Sequence, residues 1–213
     1  MPPSLEKKFG SRHDQDRIRL ACAGCHPEGR DDGVVWKLGA GPRQTPTLLG
    51  RLERGPYGWL GKHPTLEGNM QETITRLGGT GLPDADLRKL AAFLRQGLVT
   101  PAPSAAEPAV SELAEQGKAL FRSQKVGCSG CHRLETELSD RSLHDVGSYA
   151  QSDSSRSFRT PPLLHVGQSA PYFHDGRYAT LEQLLGDNLD RMGQTTQLSP
   201  DELRALAAFL RTL

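Results

Sequence analysis

Large apolar side chains are scarce in this sequence. Aromatic residues make up 6% of its 213 residues, and hydrophobic residues of every kind 36%. The length fits one domain, or two of about 100 residues each. A domain that small, with so few bulky apolar groups, struggles to build a core alone. A buried cofactor would supply the missing apolar surface. No apolar run approaches the roughly 18 residues of a membrane span. The net charge is +1, which gives no basic footprint of a nucleic-acid partner. The chain opens Met1-Pro2-Pro3-Ser4 and runs into charged residues, with no secretory signal. Cysteine is rare too: Cys22, Cys25, Cys128 and Cys131 are all there is.

All four cysteines fall in two copies of one pattern, Cys22-Ala23-Gly24-Cys25-His26 and Cys128-Ser129-Gly130-Cys131-His132. The C-x-x-C-H string is the attachment signature of haem c. Two thiols about one helical turn apart reach the two vinyl groups of one porphyrin and form thioethers, and the adjacent histidine supplies the proximal nitrogen to iron. Three other readings compete: one zinc site with four thiolates, redox dithiols of the thioredoxin type, and disulfides. Zinc does not require a histidine after both pairs, and the thioredoxin motif requires a βαβ context that is missing. Two haem c groups are expected, with His26 and His132 as proximal ligands. Covalent attachment of this kind takes place outside the cytosol. The expected location is therefore periplasmic or extracellular, with a signal removed or the chain a fragment.

The repeat extends beyond these motifs. Thr45-Pro46-Thr47-Leu48-Leu49, Pro56-Tyr57-Gly58-Trp59 and Thr65-Leu66-Glu67 are echoed by Thr160-Pro161-Pro162-Leu163-Leu164, Pro171-Tyr172-Phe173-His174 and Thr180-Leu181-Glu182. Each half closes on a related segment, Leu90-Ala91-Ala92-Phe93-Leu94-Arg95 and Leu206-Ala207-Ala208-Phe209-Leu210-Arg211. This is duplication of one unit. Pro101, Pro103 and Pro108, with alanine and serine between, mark a stiff linker. The expected organisation is a first haem domain over 1–98, a linker over 99–110 and a second haem domain over 111–213. Leu203, Leu206, Ala207 and Leu210 fall at helical spacing, as do Leu87, Leu90, Ala91 and Leu94, with Gly97 ending the latter run. Ser199 with Glu202 makes a capping box, Pro200 suits the first helical turn, and Thr180 with Gln183 caps another helix. No strand-like alternation is sustained. The fold class is all-α: two tandem cytochrome c-like haem domains.

The sixth iron ligand decides whether a haem carries electrons or meets small molecules. A methionine thioether raises the potential and blocks the site. Met192 lies about 60 residues after His132, enough chain to pass around the haem edge, although methionine is more often a core residue. In the repeat it falls opposite Leu77, so the two haems are expected to differ. For the first haem the sixth ligand is Met70 or His63, or the position is open. His13, His144, His165 and His174 are read as surface or hydrogen-bonding histidines.

The second half resembles the C-terminal domain of bacterial dihaem cytochrome c peroxidases and MauG-type proteins. The matching strings are Leu143-His144-Asp145-Val146-Gly147, Thr160 to Leu164, Ala170-Pro171-Tyr172-Phe173-His174-Asp175-Gly176-Arg177 and Met192-Gly193. The resemblance implies that Met192 ligates the electron-transfer haem. The first half resembles the peroxidatic domain more weakly. There Trp59 takes the place of a tryptophan between the haems, and Asn69 that of a glutamine in the distal pocket. The family's Trp-Asp-Gly-Arg reads Trp59-Leu60-Gly61-Lys62 here. An insertion carrying a catalytic glutamate is missing, Glu72 being the nearest carboxylate. The family's arginine-asparagine pair after Thr-Pro-x-Leu is replaced by Leu164-His165. A calcium ion is implied by the resemblance and cannot be placed.

The expected function is electron transfer between two haems and a redox partner, either a separate protein or a fused domain. Hydrogen peroxide reduction at the first haem, fed through the second, is the alternative. The missing glutamate weighs against it, and no catalytic residue is assigned.

Overall fold

The computed structural model describes residues 21–38, 41–98 and 108–213. His13 and linker residues 99–107 lie outside them. The chain is mainly helical. In order come α1 (Cys22–Cys25), β1 (Val35–Leu38), β2 (Gly41–Gln44), α2 (Leu66–Arg76), α3 (Asp84–Gln96), α4 (Pro108–Arg122), β3 (Leu143–His144), β4 (Phe158–Arg159), α5 (Leu181–Gly186) and α6 (Pro200–Leu210). Two antiparallel ribbons, β1–β2 and β3–β4, depart from the all-α expectation. They are too short to show the alternation by which a sequence announces a strand. α4 begins at Pro108, so Pro108, Ala109 and Val110 belong to a helix and not to the linker. Proline is tolerated there because the first helical N–H has no intrahelical partner.

The capping residues do what their positions imply. The side chains of Thr65 and Thr180 accept from the N–H groups of Gly68 and Gln183, both at 3.2 Å. Ser199 and Glu202 form a full capping box with Pro200 in the first turn. Each such cap contributes about 1 kcal/mol.

The two halves bury unequal cores. In the second, α4 crosses α6 closely, with the Phe121 and Phe209 ring centroids 5.2 Å apart. Leu206 and Ala207 are fully buried there. Gly117 makes the crossing possible: a Cβ on it would lie 1.9 Å from the Ala205 carbonyl oxygen. In the first half, Leu52, Tyr57, Leu66 and Ala91 form a small cluster, with Leu48, Met70 and Leu94 against it. Each large side chain so buried is worth about 1.5–3 kcal/mol, and the first half has few.

The repeat is visible in the backbone. Tyr57 bridges His63 in one half, and Tyr172 bridges Tyr178 in the other. A capped helix follows each bridge. The halves also hold each other. Gln44 N–H donates to the His174 carbonyl at 2.6 Å, and Arg159 N–H to the Trp59 carbonyl at 2.9 Å. Arg43 pairs with Asp153 at 2.6 Å.

Candidate haem site

In both motifs the chain turns tightly after the first cysteine. His26 N–H donates to the Cys22 carbonyl at 2.8 Å and His132 N–H to the Cys128 carbonyl at 3.0 Å. Gly127, at φ 79, opens the second turn. Each histidine then spends the same ring nitrogen on a backbone carbonyl: Nδ1 of His26 on Arg30, 3.2 Å, and Nδ1 of His132 on Leu138, 2.8 Å. A carbonyl only accepts, so Nδ1 carries the hydrogen and Nε2 keeps its lone pair for a metal. Burial lowers both histidine pKa values, more than the carbonyl bond raises them. The neutral ring that results is the ligating form. No cysteine is in a disulfide, and burial pushes the Cys128 thiol up to about 11. Among the described residues, the one three-member group of potential metal ligands is Cys131, Asp140 and His144. It draws nothing from the first motif, so no four-thiolate zinc site is built. It is also not an all-oxygen group, and calcium gains no place from it.

A cavity of about 390 Å³ opens beside the second motif. Cys128, Cys131 and His132 line one side, and Met192 lines it as well. Phe121, Leu184, Leu206 and Leu210 supply apolar wall. Thiols, a histidine with a free Nε2, a methionine and apolar walls together fit a porphyrin with its iron. The methionine loop is built for its place. Asn188 is buried and accepts the Met192 N–H at 2.9 Å, while its Nδ2 donates to the Gly193 carbonyl at 2.7 Å.

The first half reaches into this cavity with Gln44, Arg51 and Trp59. Trp59 Nε1 donates to the Gln44 carbonyl at 3.1 Å, and its ring meets His174 edge-on with centroids 6.2 Å apart. His174 is not a surface residue. It is 1% exposed, stacks on Phe158 at 3.7 Å and places Nε2 2.9 Å from Asp153. His144 lines the rim, with Nε2 2.8 Å from Asp140. His165 keeps a lowered pKa through burial and the nearby Arg51 and Arg30.

The first-half candidates are placed differently. His63 Nε2 lies 2.5 Å from Glu72. The same clasp recurs in the second half, where the Tyr178 hydroxyl donates to Asp187 at 3.0 Å. His63 thus occupies the place of a tyrosine that fastens a loop to a helix end. Met70 packs on the first core cluster, at the repeat position of Leu185. Asn69 stands at that of Leu184. Leu77, opposite Met192, caps the end of α2 and is 36% exposed. The reason lies in helix length: α5 stops at Gly186 and frees the chain to carry Met192 inward, whereas α2 continues to Arg76.

Sequence reasoning missed Arg51 and Arg159, which line the cavity from opposite halves. Burial lowers the pKa of each guanidinium to about 10. Nothing local in the sequence marks them, because the contacts that matter cross between the halves.

A cytochrome c family model matches residues 114–213. MauG of Methylorubrum extorquens is 27% identical over 91% of this chain and 72% of its own length. The chain is a relative of MauG and the bacterial cytochrome c peroxidases. The cytochrome c551 peroxidase of Pseudomonas aeruginosa is 32% identical over 122 residues, 47% of this chain and 34% of that protein. Hydrazine synthase of Kuenenia stuttgartiensis superposes with a TM-score of 0.80 at 22% identity, over 92% of this chain and 81% of that one, which shows the shared fold. Residues 114–213 are therefore a cytochrome c unit, and haem c is the cofactor that this match and the similarity to MauG support. Among the described residues no helix is long and apolar enough to cross a membrane.

Proposed function

We propose that this chain is a dihaem oxidoreductase of the peroxidase type, with an electron-relay haem on residues 111–213 and a substrate-facing haem on residues 1–98. The difference between α2 and α5 carries the reading. In the second half the short α5 releases the loop that brings Met192 to the cavity. In the first half the longer α2 leaves Leu77, a side chain with no lone pair, at the matching place. His26 would hold the first iron from one side and leave the other side for a small oxidant. When bound, the haem would supply a redox-active iron.

The chain's own residues then have separate tasks. Cys22, Cys25, Cys128 and Cys131 form the thioethers. His132 and Met192, which line one cavity, would hold the second haem's iron, an arrangement that favours electron relay over ligand binding. Asn69 presents an amide at the repeat position of Leu184, which lines the second cavity, and would offer the first haem's surroundings a hydrogen-bond donor. Trp59 belongs to the first half and lines the second cavity, a position suited to conduct between the two. Electrons would come from a redox partner protein or a fused domain. Covalent haem attachment points to the periplasm or another compartment outside the cytosol.

The test is low-temperature EPR on oxidised protein carrying two haems per chain, before and after hydrogen peroxide. One low-spin and one high-spin ferric signal are expected, with the high-spin signal changed by peroxide and peroxide consumed when an electron donor is present. Two low-spin signals indifferent to peroxide would leave electron transfer alone as the function. Absence of haem from protein made with active attachment machinery would overturn both.

A further inference from the structure

Several arginines in this molecule have a carboxylate partner, and two partly buried ones on the cavity wall do not. Arg43 pairs with Asp153, Arg141 with Glu137 and Arg177 with Asp175. This is the usual rule, because an unpaired ion out of water costs several kcal/mol. Arg51 and Arg159 break it. Arg51 Nε donates to the Leu164 carbonyl at 3.2 Å and Arg159 Nε to the Gly58 carbonyl at 3.1 Å. Neither guanidinium forms an ion pair among the described residues. Asp31, whose field reaches Arg51, accepts the Gly33 N–H at Oδ1 and leaves its buried Oδ2 without a hydrogen-bond partner, but it forms no ion pair with Arg51. Both arginines line the cavity beside Cys128, Cys131 and His132.

A third group on the same wall also lacks a partner. His174 Nδ1 is buried and makes no hydrogen bond. Its Nε2 faces the Asp153 carboxylate, which accepts only, so Nε2 carries a hydrogen. Phe158 and Trp59 flank the ring, and the free Nδ1 keeps its lone pair, so a donor reaching it from the cavity, such as a water, can satisfy it and a carboxylate cannot. Leaving such an atom unsatisfied costs about 1–3 kcal/mol. The other charged groups on the wall are already engaged. Asp145 is paired with Arg156 at 3.0 Å, and Arg191 caps α5 through the carbonyls of Asn188 and Asp187.

An otherwise apolar cavity with two unpaired cations fits a flat apolar ligand bearing two carboxylates. We propose that Arg51 and Arg159 form one anion cradle, contributed by both halves of the chain, that receives the two carboxylates of the haem attached through Cys128 and Cys131. Guanidinium forks suit carboxylates because two N–H groups meet two oxygens. Since Arg51 lies in the first half, the haem of the second half becomes a bolt between them, and its reduction is tuned by a residue outside its own domain.

The inference rests on the haem c site of residues 114–213 and not on peroxide chemistry. It is tested on holoprotein without peroxide, by potentiometric titration of the methionine-ligated haem in R51Q, R159Q and R51K, with haem stoichiometry checked in each. A cation beside a haem carboxylate favours the reduced form. R51Q and R159Q are expected to shift the equilibrium toward the oxidised form by on the order of tenfold, about 59 mV for one electron. R51K keeps the charge and should stay close to the parent. Resonance Raman of R51Q and R159Q should show the haem carboxylate bending modes displaced. If both glutamine variants titrate within twofold of the parent, or if R51K moves as far as R51Q, the cradle is wrong. Peroxide inertness of the parent would not touch this result.

Discussion

Met192 is tied to Asn188 by a backbone hydrogen bond: the Met192 N–H donates to Asn188 Oδ1 at 2.9 Å. The same side chain donates to the Gly193 carbonyl and to Thr195 Oγ1 at 3.1 Å. One buried amide therefore fixes the whole loop. Gly193, at φ 87, lets that loop press on the attachment motif, since a Cβ there would meet the Val126 carbonyl at 2.9 Å and Cys128 Sγ at 3.3 Å. Asn188→Ala strands three polar partners. It is expected to cost about 1–3 kcal/mol and to loosen the methionine. Denaturant melts and the charge-transfer absorption of methionine-ligated ferric haem check both effects. An unchanged band would mean that Asn188 does not position Met192.

Met192→His replaces a thioether with a more basic nitrogen. The second haem should stay low-spin while its midpoint potential falls, because thioether ligation raises potential. Met192→Ala should add a high-spin signal to the EPR spectrum. If neither variant alters the spectrum, the ligand opposite His132 is another residue.

Much of this was legible in the sequence, for identifiable reasons. Cys-x-x-Cys-His is local, and so are the caps at Thr180 and Ser199 and the repeat bridged at Tyr57 and Tyr172. The inequality of Met192 and Leu77 could be read from the alignment of halves, although its cause, the extra turns of α2, could not. The two ribbons escaped notice because strands of two to four residues leave no periodic trace. Arg43 with Asp153 and Arg51 with Leu164 are contacts between halves, and no local pattern encodes them. His174 was read as a surface or hydrogen-bonding residue. It does hydrogen-bond, but from the interior, because Trp59 arrives from the other half to cover it.

Gly117 carries a prediction about packing alone. At the crossing of α4 and α6 an added Cβ would sit 2.9 Å from the Phe209 Cβ and still closer to the Ala205 carbonyl. These are backbone and stem atoms that cannot swing away. Gly117→Ala gains helix propensity of under about 1 kcal/mol and forces the helices apart. Overpacking of that kind costs about 1–3 kcal/mol or more. A net loss of stability in urea, with both haems still attached, is expected. A gain would mean that the crossing is looser than described.

Asp153 gives the molecule an acid-sensitive joint. Its side chain is fully buried and bonded to Arg43 and His174, and Ala150 N–H donates to it at 2.6 Å. Burial alone would raise the pKa. The donors from Ala150, Arg43 and His174 outweigh burial and hold the carboxyl below its ordinary value. An unfolded aspartate titrates near about 3.9. With the folded pKa lower still, the unfolded chain takes up the proton first as pH falls. The stabilisation is therefore complete above about pH 4 and is lost as pH drops through the folded pKa. Asp153→Asn breaks a buried charge network and is expected to cost about 3–5 kcal/mol at neutral pH. Urea melts of both proteins from neutral to acid pH measure the gap between them. That gap should hold constant down to about pH 4 and close below it. A gap that stayed constant into stronger acid would show that Asp153 is not ionised in the folded protein, and Arg43 and His174 would then need a different anion.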